Sequence, residues 1–169
     1  QWNSGLLDSY LMEISVEVLR HKSSDTGTTL VDLILDKAGQ KGTGLWTAMS
    51  SLEVGCPAPT IAQAVYARSI SSFKDLRTQA AVTLSGPGSV TLSNQEKQDY
   101  IEQLHDAIYC AKMCAYAQGF QLMKLAAKEH GWTLNFANIA KIWRAGCIIR
   151  ATFLQSITQA YERNGDLDN

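Results

Sequence analysis

Apolar residues return at three- and four-residue intervals along almost the whole chain, the spacing of helices with one buried face. Leu7, Leu11, Ile14 and Val18 mark one face of a first helix, and the polar run HKSSDTGT at 21–28 ends it. A short second helix is predicted from Leu30 to Ala38, with Gly39 as its C-terminal cap. A third is predicted from Leu45 to Val54, closing at Gly55. Pro57 and Pro59 open a fourth, Pro59 suiting its first turn because a missing N–H costs nothing there. Ile61, Val65, Ile70, Phe73 and Leu76 are spaced along it loosely enough for two buried faces.

The segment TLSGPGSVTLSN at 83–94 is a loop, and it ends in a capping box, Ser93 with Glu96 three residues on. From there a helical pattern runs to His130, interrupted only by Gly119. Unbroken, its roughly 37 residues would extend ~55 Å, against a diameter of ~40 Å for a compact chain of this size. The expectation is a kink near Gly119 or a helix that reaches past its own domain to a neighbour. HGWTLN breaks the pattern, and Asn135 can cap a last long helix reaching to about Tyr161. No alternating β-branched run marks a strand. The fold expected is all-α, one helical domain with long helices over residues 1–169, with no short-period repeat.

Composition narrows the partners. Net charge is -1 and the pI about 6.3, so no basic field invites nucleic acid. Hydrophobic residues make up 46% and charged residues only 18%, against roughly 25% charged in an average soluble domain. That deficit implies surface covered by another polypeptide. No apolar run approaches the ~20 residues of a membrane span. The opening QWNSGLLDSYL reads as a helix entry, as if the chain began inside a larger protein. Cys56, Cys110, Cys114 and Cys147 lack metal-ligand spacing, and His21, His105 and His130 are isolated. Buried thiols in a reducing cytoplasm, and no metal site, are expected.

One turn carries candidate chemistry. In ILDKAGQKGTGLWT, residues 34–47, Lys41-Gly42-Thr43-Gly44 precedes an apolar helix start. Two glycines let backbone approach a ligand, Thr43 offers a hydroxyl or a helix cap, and Lys41 brings a charge. These suit an oxyanion or phosphate. A nucleotide P-loop is excluded: the lysine precedes the glycine, no strand leads in, and no apolar strand ending in Asp follows. On these residues alone, a plain capped turn and an anion site both remain open.

The surrounding residues go further. Asp36 to Trp46 resembles the D-x-A-x-x-K-G-T-G-x-W signature of the 6-phosphogluconate dehydrogenase family. WNSGLLDSYLMEI, YARSISSFKDLR, YAQGF and IAKIWRAGCIIRATFLQ resemble other segments of that family, in its order, so the resemblance covers essentially the whole chain. It implies an all-helical C-terminal domain cut at both ends. The family's Rossmann domain, its catalytic lysine and its catalytic glutamate would lie upstream. The tail that reaches a partner subunit would lie beyond Asn169. No catalytic residue and no cofactor-binding residue is therefore expected within the chain. The resemblance implies that Lys41, Thr43 and Arg68 hold the phosphate of 6-phosphogluconate, that the parent uses NADP without a metal, and that it forms a homodimer in the cytoplasm.

The other polar residues read as structural. Arg144 and Arg150 are expected to pair with carboxylates or helix ends, and Lys74 and Arg77 to form a solvated or ion-paired face. Glu13 and Glu17 lie one turn apart with no basic partner in sequence reach. Trp143, Ile148, Ile149 and Phe153 read as core or interface packing and not as a cofactor box. Two functions fit: the phosphate-binding and dimerisation part of a dehydrogenase, inactive alone, or a helical dimerisation module without the chemistry.

Overall fold

The computed structural model describes residues 2–168. After a 3-10 turn at Trp2–Ser4 come eight α-helices among the described residues. They are α1 (Tyr10–Arg20), α2 (Leu30–Leu33), α3 (Thr43–Glu53), α4 (Pro59–Ser72), α5 (Lys74–Thr83), α6 (Asn94–His130), α7 (Phe136–Ile142) and α8 (Leu154–Arg163). The only extended pairings among the described residues are two isolated bridges, Ser9 with Ala151 and Lys22 with Thr29. The all-α expectation holds. By contacts the chain forms two compact units, Leu35–Ala126 and, from both ends of the chain, Gln1–Ile34 with Ala127–Asn169.

The terminal unit is built on the packing of α7 against α8. Its core includes Leu7, Ala140 and Leu154, each fully buried, with Ala151, Phe153 and Tyr161 around them. The rings of Phe136 and Tyr161 pack at 5.3 Å between centroids. Asn135 caps α7 as expected, its side-chain oxygen accepting from the Asn138 N–H at 2.9 Å. The single helix expected from Asn135 to Tyr161 is instead two. Gly146 takes φ +64°, and Trp143 and Arg144 close the first helix with short-range bonds to Ala140 and Lys141. The chain then runs beside the entry to α1: Tyr10 N–H donates to Arg150 O, and Thr152 N–H to Asp8 O, both at 3.0 Å. Arg150 meets the Glu13 carboxylate at 2.5 Å, which gives Glu13 the basic partner that local sequence lacked. Arg144 donates to Gln155. Phe153 is buried, whereas Ile148 is 62% exposed and lies outside the core of this chain.

The central unit holds α3, α4, α5 and most of α6. Pro59 occupies the first turn of α4 as expected. Ala58 has no side chain to cap that helix, and Gln118 of α6 does so from afar. Its Oε1 accepts from the N–H groups of Thr60 and Ile61 at 3.0 and 3.3 Å. Its Nε2 donates to the Thr60 hydroxyl at 3.0 Å. Pairing these orphan donors also fastens α4 to α6. The Ser93–Glu96 capping box forms, with Ser93 N–H on the Glu96 carboxylate at 2.8 Å and Glu96 N–H on the Ser93 hydroxyl at 3.3 Å. Helix α6 then runs through Gly119 for all 37 residues without a break in its helical assignment.

Several expectations fail here. The second helix stops at Leu33 rather than Ala38; beyond it Asp36, Ala38 and Gly39 are held by side chains of α4 and α5, and the Lys37 N–H bonds only back to the Leu35 carbonyl at 2.8 Å. Gly39 is thus no helix cap. The expected fourth helix breaks at Phe73, whose ψ of 58° separates α4 from α5. The Ser69 and Ser72 hydroxyls bond back to Val65 and Ser69 carbonyls just before the break, a habit that bends helices. Neither Ile70, Phe73 nor Leu76 is buried. Among the thiols only Cys56 is buried; Cys110 and Cys114 are exposed on α6.

Candidate functional site

Helix α3 begins two residues earlier than its apolar pattern suggested, with Thr43 as its first residue and Gly42 as N-cap. Thr43 is therefore not the cap. Gly42 stands at φ +111°, ψ -31°, a conformation that L-residues rarely adopt. Its carbonyl accepts the Trp46 N–H at 2.9 Å, starting the helix. Gly42 has no side chain to offer, so no side-chain cap covers the first N–H groups of α3. The Thr43 carbonyl accepts the Thr47 hydroxyl at 2.8 Å, while the Thr43 hydroxyl makes no hydrogen bond among the described residues.

Gly44 sets how close the next helix comes. A Cβ placed there would lie 3.1 Å from Val65 Cγ2, so α3 meets α4 closely and Val65 would have to give by a few tenths of an ångström to admit one. Val65 stands three residues before Arg68, on the same side of α4. The Arg68 guanidinium donates to the carbonyl of Gly39, two residues before Lys41. The fold thus brings Arg68, 27 residues downstream in sequence, to the approach of the turn. The Lys41 side chain is exposed and makes no hydrogen bond or ion pair among the described residues. It makes no hydrogen bond with Thr43 or Arg68.

The segment leading into the turn is extended and held from outside. The Asp36 carboxylate accepts from Arg77 at 2.9 Å and Lys74 at 3.2 Å. Arg77 also donates to the Asp36 carbonyl at 2.6 Å and to the Ser71 carbonyl at 3.1 Å. The Ser71 hydroxyl accepts the Ala38 N–H at 3.0 Å. Arg77 first, and Lys74 second, hold the Asp36 carboxyl below its ordinary pKa. Lys74 and Arg77 are thus the ion-paired face expected, but the carboxylate they share was not foreseen. Asp36 and Ser71 give no local signal, since their partners lie more than thirty residues away.

The arrangement offers an ammonium, a hydroxyl, free helix N–H donors and a guanidinium about one solvent-open turn. That is a donor set for an anion with several oxygens. It contains no general base and no nucleophile with an activating partner. No group of three or more His, Cys, Asp or Glu side chains that could hold a metal occurs among the described residues.

A family model described as 6-phosphogluconate dehydrogenase, C-terminal domain, matches residues 1–169. The NADP(+)-dependent, decarboxylating 6-phosphogluconate dehydrogenase of Bacillus subtilis (strain 168) is 50% identical over 169 residues, covering 100% of this chain and 36% of that protein. The decarboxylating 6-phosphogluconate dehydrogenase of Mus musculus is 48% identical over 169 residues, covering 100% of this chain and 35% of that protein. A solved structure of Plasmodium falciparum 6-phosphogluconate dehydrogenase, described in its apo form and in complexes with NADP+ and with 6-phosphogluconate, superimposes with a TM-score of 0.91 at 46% identity. It covers 99% of this chain, which covers 36% of it. The chain spans about a third of the length of these relatives.

Proposed function

The chain belongs to the 6-phosphogluconate dehydrogenase family, within its C-terminal domain, and on that premise we propose that it forms the substrate-phosphate clamp and part of the subunit interface of an NADP-dependent, decarboxylating enzyme. The observation that carries the proposal is the uncapped start of α3. There Lys41 and the Thr43 hydroxyl stand unpaired beside free backbone donors, and Arg68 is bonded to the same turn.

Each group has a distinct part. Lys41 gives the phosphate a point charge, Thr43 a hydroxyl donor, and Arg68 a planar fork of N–H groups. The N-terminal end of α3 adds its partial positive charge. The phosphate is remote from the carbons that react. Its binding energy serves to orient the sugar, converting affinity at one end into alignment at the other. The parent reaction oxidises the C3 hydroxyl of 6-phosphogluconate to a ketone, releases the carboxyl group as CO2 and leaves ribulose 5-phosphate.

NADP accepts the hydride in that reaction. A dinucleotide site needs a strand, a glycine-rich turn and a helix, and the described residues provide helices and two isolated bridges. They do not fit the cofactor, so no step is assigned to them beyond holding substrate. The interface reading draws on the low charge content and on apolar side chains left open, among them Leu52 at 79% and Val82 at 87% exposure. Such side chains are what a subunit interface would cover if they adjoin one another. The test is Lys41→Ala in the full-length enzyme. Loss of one charge-assisted hydrogen bond predicts KM for 6-phosphogluconate roughly 10- to 100-fold higher. An unchanged KM removes Lys41 from the site.

A further inference from the structure

The segment leading to the turn has little hydrogen bonding of its own, a single Lys37 N–H to Leu35 carbonyl bond at 2.8 Å. Residues 34–42 belong to no helix, and Gly39 and Gly42 loosen them further. Yet a clamp binds more tightly when its donors stand in place before the ligand arrives. Something outside the segment has to fix it. The contacts that do so come from one place, the elbow where α4 ends at Ser72 and α5 begins at Lys74.

We infer that Asp36 is a positioning residue for phosphate binding: its carboxylate, gripped by Lys74 and Arg77, and the Ala38 N–H, held by Ser71, strap residues 36–38 to the α4–α5 elbow and so set where Lys41 and Thr43 stand. Three attachments act in series along the strap. Arg77 binds both the side chain and the carbonyl of Asp36, at 2.9 and 2.6 Å, so it fixes the backbone as well as the charge. Ser71 fixes the backbone two residues on, at 3.0 Å. Arg68 takes the Gly39 carbonyl one residue later. Because Arg68, Ser71, Lys74 and Arg77 lie on consecutive turns of α4 and α5, the strap and the phosphate-binding arginine share one support. The break at Phe73 fixes the angle between its two halves. The Asp36 carboxylate is occupied by Lys74 and Arg77, so its assigned part is to position the turn, not to contact substrate. Pairing with Lys74 and Arg77 offsets the negative charge that Asp36 would otherwise present to a nearby phosphate.

This inference rests on the phosphate-clamp reading, and one experiment separates the two. In the full-length enzyme, Lys41→Ala, Asp36→Asn and Ser71→Ala are compared by KM and kcat for 6-phosphogluconate and by competitive inhibition with inorganic phosphate. Losing an exposed ion pair that only positions the turn predicts a KM about two- to five-fold higher for Asp36→Asn. The inhibition constant for phosphate should rise in parallel, and kcat should move less. Asp36→Glu, which keeps the charge, should recover part of the loss. Ser71→Ala should shift KM in the same direction, and it decides the matter if Asp36→Asn does not fold. If Lys41→Ala raises KM but both strap variants keep wild-type KM and phosphate inhibition, the strap is overturned and the clamp stands. If Lys41→Ala leaves both values unchanged, the clamp itself is overturned, and the strap with it.

Discussion

Gly42→Ala isolates the backbone requirement of the turn. Gly42 sits at φ +111° and ψ -31°, outside the regions open to alanine. Forcing an L-residue there costs about 1–3 kcal/mol. Steric overlap adds little, because the new Cβ would meet Trp46 Cζ2 at 3.4 Å, an ordinary contact distance. The cost is therefore conformational. Gly39→Ala is the matched control: its φ lies outside the positive range, and no atom lies within 4 Å of its Cβ. That change should fall within about 0.5 kcal/mol of wild type. Urea unfolding of the 169-residue chain reads both. With a slope of about 2 kcal/mol per molar, Gly42→Ala should lower the midpoint by about 0.5–1.5 M while Gly39→Ala leaves it nearly unmoved. Equal midpoints for the two variants would refute the claim that the turn depends on a left-handed glycine at 42.

Three further outcomes follow from the geometry. Leu154 is fully buried in the terminal unit, so Leu154→Ala should destabilise the chain by about 2–5 kcal/mol in the same urea assay. Asn135→Ala removes the oxygen that accepts the Asn138 N–H at the start of α7, at a cost of about 0.5–2 kcal/mol. Ser93 holds the Glu96 carboxyl below its ordinary pKa, its side chain contributing most and its backbone N–H next. A depressed carboxyl stabilises the fold above its unfolded value and loses that contribution as pH falls. Acid titration of stability should therefore steepen below about pH 4.3, the ordinary glutamate value, and Glu96→Gln should flatten that part of the curve.

Sequence periodicity identified helices well where helices bury one face and carry their own caps. Pro59, Asn135 and the Ser93–Glu96 pair were legible because each acts on residues within one turn of itself. It misjudged 34–41, where the apolar spacing continues but the backbone bonds go to Ser71 and Arg77 more than thirty residues away. It also joined α4 to α5 and α7 to α8, because neither Phe73 nor Gly146 is a strong breaker in a helical pattern. The turn at Lys41 to Gly44 was visible as a group of donors. Its geometry was not, since it depends on Gly44 meeting Val65 and on Arg68 reaching Gly39. Asp36 lay inside the family signature, yet its role depends on two cations that only the fold brings to it.

The central claim is that substrate phosphate sits at the start of α3. A crystal structure of the full-length enzyme with 6-phosphogluconate tests it most directly. The account predicts phosphate oxygens about 2.7–2.9 Å from Lys41 Nζ and from the Arg68 guanidinium, with the Thr43 hydroxyl also donating. A phosphate bound away from residues 41–45, with Lys41 still in open solvent, would contradict it.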